Sequence, residues 1–446
     1  MDNVLLSRML FGTSMAFHII FATLTVGISL MIFFGEIMRV IRKDNDYAVL
    51  AKRLTKGLAI LLGVAIPTGT IVAVMLSLLW PGFMEIVGQV IALPFQIEIF
   101  AFFLESLFLA IYVYAADRLT TTMRIISSFF IAFGAVASAV LITSAHAWMN
   151  TPEGFDIVNG SITNVNPLSA ALSTSFWATS LHVISTAYMT GAFVLVAVAA
   201  YKLMKPSITE AERRYHHKGM LMALIFGLGM SLWTGLTGHD TTVMLYEEIP
   251  IKLAAAEGLF ETQSNAPLTL FGVPSPEENE VIGGLEIPGL LSWLATYSTD
   301  GVIQGLNDFP QENWPPLIVH TLFNVMVFIG GGLIAISGGG LLYWFIKRKK
   351  ENFAFPKWIL AAFVASGPLA MIGIETGWIF SCTGRQPWTI FDIQRTSEAA
   401  TTSGNLGIIF FFFAVLYAVL LVITSLVLYF YFKRNPLTQD MNAIGS

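Results

Sequence analysis

Charge is what this chain lacks most. Of its 446 residues only 12% are charged, about half the roughly 25% of an ordinary soluble domain, while 55% are hydrophobic. With a mean hydropathy of +0.71, a soluble globular protein is excluded and an integral membrane protein remains. Cysteine is almost absent. The single Cys382 rules out an internal disulfide and any Cys-rich iron–sulfur or zinc site. Internal repeats and low-complexity segments are lacking too. No cleavable signal peptide is expected, because MDNVLLSRML is polar and the first apolar run is too long for an h-region. The net charge of −5 says little, since charges in such a chain report topology, and no nucleic-acid partner is expected.

What is present is a set of nine apolar stretches, each long enough for the ~20 residues that a spanning helix needs. They run over 11–38, 57–80, 91–116, 125–148, 172–201, 219–238, 316–346, 358–382 and 405–432. The expected fold class is all-α: a polytopic membrane protein of nine transmembrane helices, forming a single membrane domain over 1–446. Basic residues follow the first, third, fifth, seventh and ninth stretches, which puts 20 of the 24 Lys and Arg on one face. Such residues stay on the cytoplasmic side, so the N-terminus is expected outside and the C-terminus inside. The longest polar segment, residues 239–315, then lies outside. It holds twelve acidic residues and a single basic one, Lys252. A large loop on a helical scaffold is where specific chemistry collects. The outside cations Arg8, Lys252, Arg385 and Arg395 run against the bias, and each is expected beside a local anion.

Ionisable groups within spans are costly and default to functional candidates. His18 lies in the first span, Glu98 and Glu105 in the third, His182 in the fifth and Glu375 in the eighth. Glu98 and Glu105, seven residues apart, share one helix face. A buried His bonded to a neighbouring carbonyl, or a protonated Glu joining two helices, is the bland alternative for each. Depth adds to the case. His182 and Met326 each lie ten residues inside the outer end of their span, about 15 Å at the helical rise, so an imidazole and a thioether could meet at one level. His/Met is an axial pair for low-spin heme. His18 is an imidazole without an evident strong partner, as an open high-spin heme would require. Glu105, two turns deeper than Glu98, could pass protons from the inner side to a buried reaction site. His146, His239 and His320 read as satisfied interfacial histidines, and His216 and His217 as solvated charge in a basic loop.

The segment GIETGWIFSCTGRQPW (373–388) ends the eighth span in a Gly-Arg-Gln-Pro-Trp turn that aims Arg385 toward the membrane. An Arg there suits a buried carboxylate or a heme propionate. With it the chain resembles subunit I of the cytochrome bd-type quinol oxidases, of the short outer-loop kind. FGTSMAFHIIFATLTVG around His18, LPFQIEIFAFFLES around Glu98 and Glu105, and WMNTPEGF at 148–155 carry the same resemblance. So do LHVISTAYMTGAFVL around His182, PIKLAAAEGLFET at 250–262, GLNDFP at 305–310 and PPLIVHTLFNVMV around Met326. The resemblance implies that His182 and Met326 ligate a low-spin heme b. His18 would be axial to a high-spin heme with Glu98 near its other face, and Glu105 would line a proton route. Lys252 and Glu257 match the quinol-oxidation pair in the loop at 239–315, Arg385 would hold heme propionates, and Trp378 would lie among the hemes. Also implied are membrane quinol and O2 as substrates and a homologous second membrane subunit. A small single-span subunit, and a place in a prokaryotic cytoplasmic membrane, belong to the same picture. Quinol protons released outside while O2-reduction protons enter from inside would build a gradient without a pump.

Two positions depart from the pattern. The family's Glu ligand for one of two high-spin hemes is Cys382 here. The iron could take this thiolate, Glu375 could substitute from two turns deeper on the same face, or the site could lack a protein ligand or a heme; heme d and heme b are both open there. The family's Tyr-Gln-Pro is Glu248-Ile249-Pro250, which changes the quinol pocket. The alternatives are a cytochrome that relays electrons or senses a gas without O2 turnover, and a proton-coupled transporter using His18, Glu98 and Glu105.

Overall fold

Inside a bilayer no water is available to backbone groups, so an apolar run must close its own hydrogen bonds as a helix. The computed structural model, which describes residues 3–116, 118–350 and 353–445, follows that rule. In chain order its helices are α1 (Asn3–Arg42), α2 (Asn45–Leu79), α3 (Pro81–Val90), α4 (Ala92–Tyr114), α5 (Thr121–Asn150), α6 (Pro167–Ala171), α7 (Phe176–Leu203) and α8 (Glu210–Glu248). They continue with α9 (Pro250–Glu257), α10 (Leu290–Thr296), α11 (Ile318–Lys347), α12 (Lys357–Thr383), α13 (Thr396–Ala399), α14 (Leu406–Arg434) and α15 (Leu437–Gly445). Nine of them, α1, α2, α4, α5, α7, α8, α11, α12 and α14, are long and apolar enough to cross a membrane among the described residues. Each expected span falls in one of the nine.

Several boundaries move. Residues 239–248, expected to open the long loop, instead extend α8, because nothing stops the helix before Pro250. At its other end α8 begins with a capping box, the Thr209 hydroxyl and Glu212 carboxylate closing on each other's backbone N–H groups. His216 and His217 therefore sit on a helix and not in a solvated loop. Both are half-buried, with rings 4.9 Å from Tyr215 and 5.8 Å from Phe355 respectively.

The helices pack in two groups. Helix α7 lies against α8 and α12, and α11 against α12 and α8, so these four close a ring in which α7 and α11 stand at opposite corners. In the second group α1 packs on α2, α5 and α14, and α4 on α5. The groups meet where α1 crosses α7. A Cβ on Gly27 would lie 2.6 Å from the Ala187 carbonyl and 2.7 Å from Gly191 Cα, so only glycine lets the backbones approach this far.

The polar segment between α8 and α11 is folded rather than loose. Short strands pair as nested hairpins: β3 (Leu268–Leu270) with β6 (Leu285–Ile287), enclosing β4 (Val273–Ser275) with β5 (Glu280–Ile282); β1 (Asp156–Val158) and β2 (Ser161–Thr163) form a separate hairpin earlier in the chain. Beneath them α9 joins an apolar cluster including Leu253, Phe260, Leu291, Val319 of α11 and Phe380 of α12. The cap is thereby seated on the ends of two spanning helices.

Candidate functional site

The two intramembrane histidines have matching seats. Nδ1 of His182 on α7 lies 3.2 Å from Oγ1 of Thr237 on α8, and Nδ1 of His18 on α1 lies 3.0 Å from Oγ1 of Thr68 on α2. Each hydroxyl already donates to a carbonyl one turn back, Thr237 to Trp233 and Thr68 to Val64, so each ring is the donor in its pair. An imidazole donating from Nδ1 carries its lone pair on Nε2, ready for iron. Glycine follows each threonine. A Cβ on Gly238 would lie 3.5 Å from His182 Cε1, and one on Gly69 would lie 3.0 Å from His18 Cε1. Pro67, just before Thr68, lies within α2.

Met326 on α11 stands across the ring from His182. The residue counts place them at nearly one depth: Met326 is eight residues beyond the start of α11 and His182 six beyond the start of α7. Expected at equal depth, they differ by about 3 Å along the helix rise. Glycine guards the thioether too, since a Cβ on Gly377 of α12 would lie 2.9 Å from Met326 Sδ. On α4, Glu98 Oε1 accepts a 2.6 Å bond from Ser138 of α5. Glu105 is buried, with Oε1 lacking a protein partner. Glu375 on α12 also has a buried, unpartnered Oε1.

The GRQPW turn gathers a second cluster. Lys252 of α9 is buried and donates to the Ser381 carbonyl (3.0 Å) and Asn150 Oδ1 (3.3 Å), with its ammonium 5.6 Å from the Phe380 ring centroid. Ser381 Oγ also meets His146 Nε2 at 2.8 Å, and the His146 ring lies edge-on to Trp378 at 5.4 Å. Burial pushes the Lys252 amine down to about 7, with the positive charge of Arg385 adding to the effect and Cys382 opposing it. Burial likewise lowers Arg385 to about 10. Its Nε and Nη1 have no protein partner. Cys382 is exposed along α12.

Of the four cations expected beside anions, Arg395 meets Glu312 at 3.4 Å. Among the described residues no carboxylate pairs with Lys252 or Arg385, because carbonyl and amide oxygens take that place at Lys252. Nor is Lys252 turned toward Glu257. Five residues on a helix rotate a side chain by about 140° net, and Glu257 is buried at the far end of α9 with Oε2 unpartnered. Burial raises its carboxyl to about 8. His320 is a tie for the cap, its nitrogens each 2.8 Å from the carbonyls of Ala256 and Phe271, and His239 meets the Tyr297 hydroxyl at 3.2 Å.

These residues fit heme. Two imidazoles are held by Nδ1, a thioether lies on the helix across the ring from one of them, glycines keep the flanks open, and a buried guanidinium has nitrogens free for propionates. Sequence reading overlooked Thr68, Thr237 and the glycines after them, although TG occurs at both places and was open to notice. Asn150 was also passed over.

A family profile described as "Cytochrome bd terminal oxidase subunit I" matches residues 6–436. "Putative cytochrome bd menaquinol oxidase subunit I" of Bacillus subtilis strain 168 is 52% identical over the whole of both chains. "Cytochrome bd ubiquinol oxidase subunit 1" of the same organism is 29% identical, covering 97% of this chain and 93% of that one. A solved bd oxidase from Geobacillus thermodenitrificans superposes with a TM-score of 0.91 at 41% identity, over 98% of this chain and 99% of its own. This chain therefore belongs to the cytochrome bd terminal oxidase subunit I family, as a polytopic protein of the bacterial respiratory membrane.

Proposed function

We propose that the chain binds hemes at its two threonine-seated histidines and couples quinol oxidation beneath its cap to reduction of O2 to water. The paired seats, with Met326 across from His182, are the observation that carries this reading. Membership of the family makes the protein a quinol oxidase subunit with a subunit II partner; the homology of that partner to this chain, and a small single-span subunit beside it, are part of the proposal.

His182 and Met326 would hold a low-spin heme b, and His18 would hold a high-spin heme, with Glu98 beside it. Arg385 takes propionates, with Trp378 close by against His146. Heme iron, when bound, supplies the one-electron chemistry between quinol and O2. The third heme, d or b in type, falls to Cys382 or Glu375. Cys382 offers a sulfur two residues before the glycine of the GRQPW turn, while Glu375 offers an unpartnered oxygen.

Lys252, anchored under the cap, orients a quinol oxygen by charge and hydrogen bonding. Glu257 accepts the quinol proton and releases it to the loop side. Glu105 passes protons from the basic side toward Glu98. With the basic face inside and the cap over 239–315 outside, protons are taken up on one side and released on the other, so both movements run outward and charge the membrane. A relay or gas-sensing cytochrome gains no support from the comparisons, and a transporter leaves the seats of His182 and Met326 unused. The test is a reduced-minus-oxidised spectrum of the purified complex with quinol-driven O2 uptake. Low-spin and high-spin bands with uptake are expected; a colourless complex would overturn the reading.

A further inference from the structure

The reading above leaves the buried carboxylate of Glu36 unused. Glu36 lies on α1 six residues before its end at Arg42, yet it is fully buried. Its Oε1 accepts a hydrogen bond from the Tyr112 hydroxyl of α4, and its Oε2 meets Arg39 at 3.4 Å. Arg39 is a quarter exposed, so the pair spans from the basic surface into the protein. An ion pair this close to a helix end could reach solvent on its own. That it is sealed and bonded inward to a tyrosine calls for another account.

The register of both helices supplies one. On α4, Glu98, Glu105 and Tyr112 follow at seven-residue steps, which keeps them on one face about 10 Å apart along the axis. On α1, Glu36 lies eighteen residues from His18, five full turns, so the two share a face about 27 Å apart. Thr25 and Ser29, both buried, fall on that face between them. Glu105 Oε1 and its neighbour Ser106 Oγ are buried without protein partners, which is the condition for ordered water to bridge them. The file from the basic surface thus runs Arg39, Glu36, Tyr112, Glu105, Glu98, with Leu109 and Ile131 packed beside it in one apolar cluster.

We propose that Glu36 and Tyr112 form the basic-side entrance of the proton path that supplies O2 reduction; this rests on the assignment of Glu105 to that path. A proton from water at the basic face adds to the Glu36 carboxylate. Glu36 then donates to the Tyr112 oxygen while the Tyr112 hydroxyl gives up its own proton toward Glu105, and no electron moves.

The test uses the assembled complex with quinol and O2, comparing wild type with Glu36→Gln and Tyr112→Phe. Turnover should fall at least about tenfold in Glu36→Gln, a modest general acid–base effect, and several-fold in Tyr112→Phe. The reduced spectrum should be unchanged, and the hemes should stand more reduced in the aerobic steady state, because electrons arrive and protons do not. Glu36→Asp should recover part of the rate. Wild-type turnover in Tyr112→Phe, or slow turnover with the hemes oxidised, overturns the proposal. Tyr112→Phe removes a single oxygen and decides alone if Glu36→Gln does not assemble. A wild-type complex without quinol-driven uptake would refute the underlying function instead, and the entrance with it.

Discussion

Thr237 Oγ1 sits 3.2 Å from His182 Nδ1, and the hydroxyl is already spent as a donor to Trp233. The ring must therefore give its Nδ1 proton to the threonine, which fixes both tautomer and ring plane. Replacing Thr237 with Val should leave a folded, pigmented complex whose low-spin centre is weakened by roughly tenfold in heme retention, the lower end of what such supporting bonds contribute. Redox titration of that band should show a shifted midpoint. His182→Ala should remove the band outright.

A methyl group at position 377 would test the other axial contact. Alanine there places Cβ 2.9 Å from the Met326 sulfur, so the flexible thioether must swing away. Low-spin absorbance should convert in part to high-spin in Gly377→Ala, as it should fully in Met326→Leu. An unaltered spectrum in Met326→Leu would remove Met326 from the ligand set.

Quinol turnover should trace a bell against pH. Glu257 accepts a proton only as carboxylate, and burial holds its pKa at about 8; Lys252 is cationic only below about 7. The product of the two fractions peaks between these values, rising on the acid side as Glu257 ionises and falling on the alkaline side as Lys252 loses its proton. Glu257→Gln should abolish the acid limb along with most of the rate. Lys252→Arg should extend the alkaline limb.

Loss of the Lys252 amine should be selective. Lys252→Met should lower quinol turnover by roughly 10²-fold while artificial donors that bypass the cap still reduce the hemes. Equal loss with both donors would assign the lysine to holding the cap on Ser381 and Asn150.

Heme counting separates the candidates at the third position. If Cys382 ligates, Cys382→Ser should alter the high-spin spectrum and Glu375→Gln should not; the reverse result assigns Glu375. Pigment extraction from the same preparations types the heme as d or b.

The nine spans were legible because their period and length depend on the chain alone; His18 and His182 stood out because a polar group in an apolar helix is costly, and Met326 because its depth matches that of His182. What escaped notice depends on neighbours. No local pattern marks 239–248 as helix, since four apolar residues are flanked there by His239–Thr242 and by Glu247 and Glu248, and only Pro250 ends the run. Lys252 and Glu257, five positions apart, look like a pair in the sequence, yet the turn of α9 separates them and the end of α12 draws the lysine away. Thr68 and Thr237 read as ordinary helix residues until the facing histidines arrive from another segment.

The crossing of Gly27 and Gly191 has a consequence for speed. One of these helices carries His18 and the other His182, so the bare backbone contact would set the span across which an electron tunnels between the two proposed centres. Tunnelling decays exponentially with separation, whereas packing energy responds to a methyl group only in proportion. A Gly191→Ala protein that still assembles should show a slower hop between centres together with a lowered melting point, because its Cβ would lie 2.5 Å from Gly27 Cα and push the helices apart.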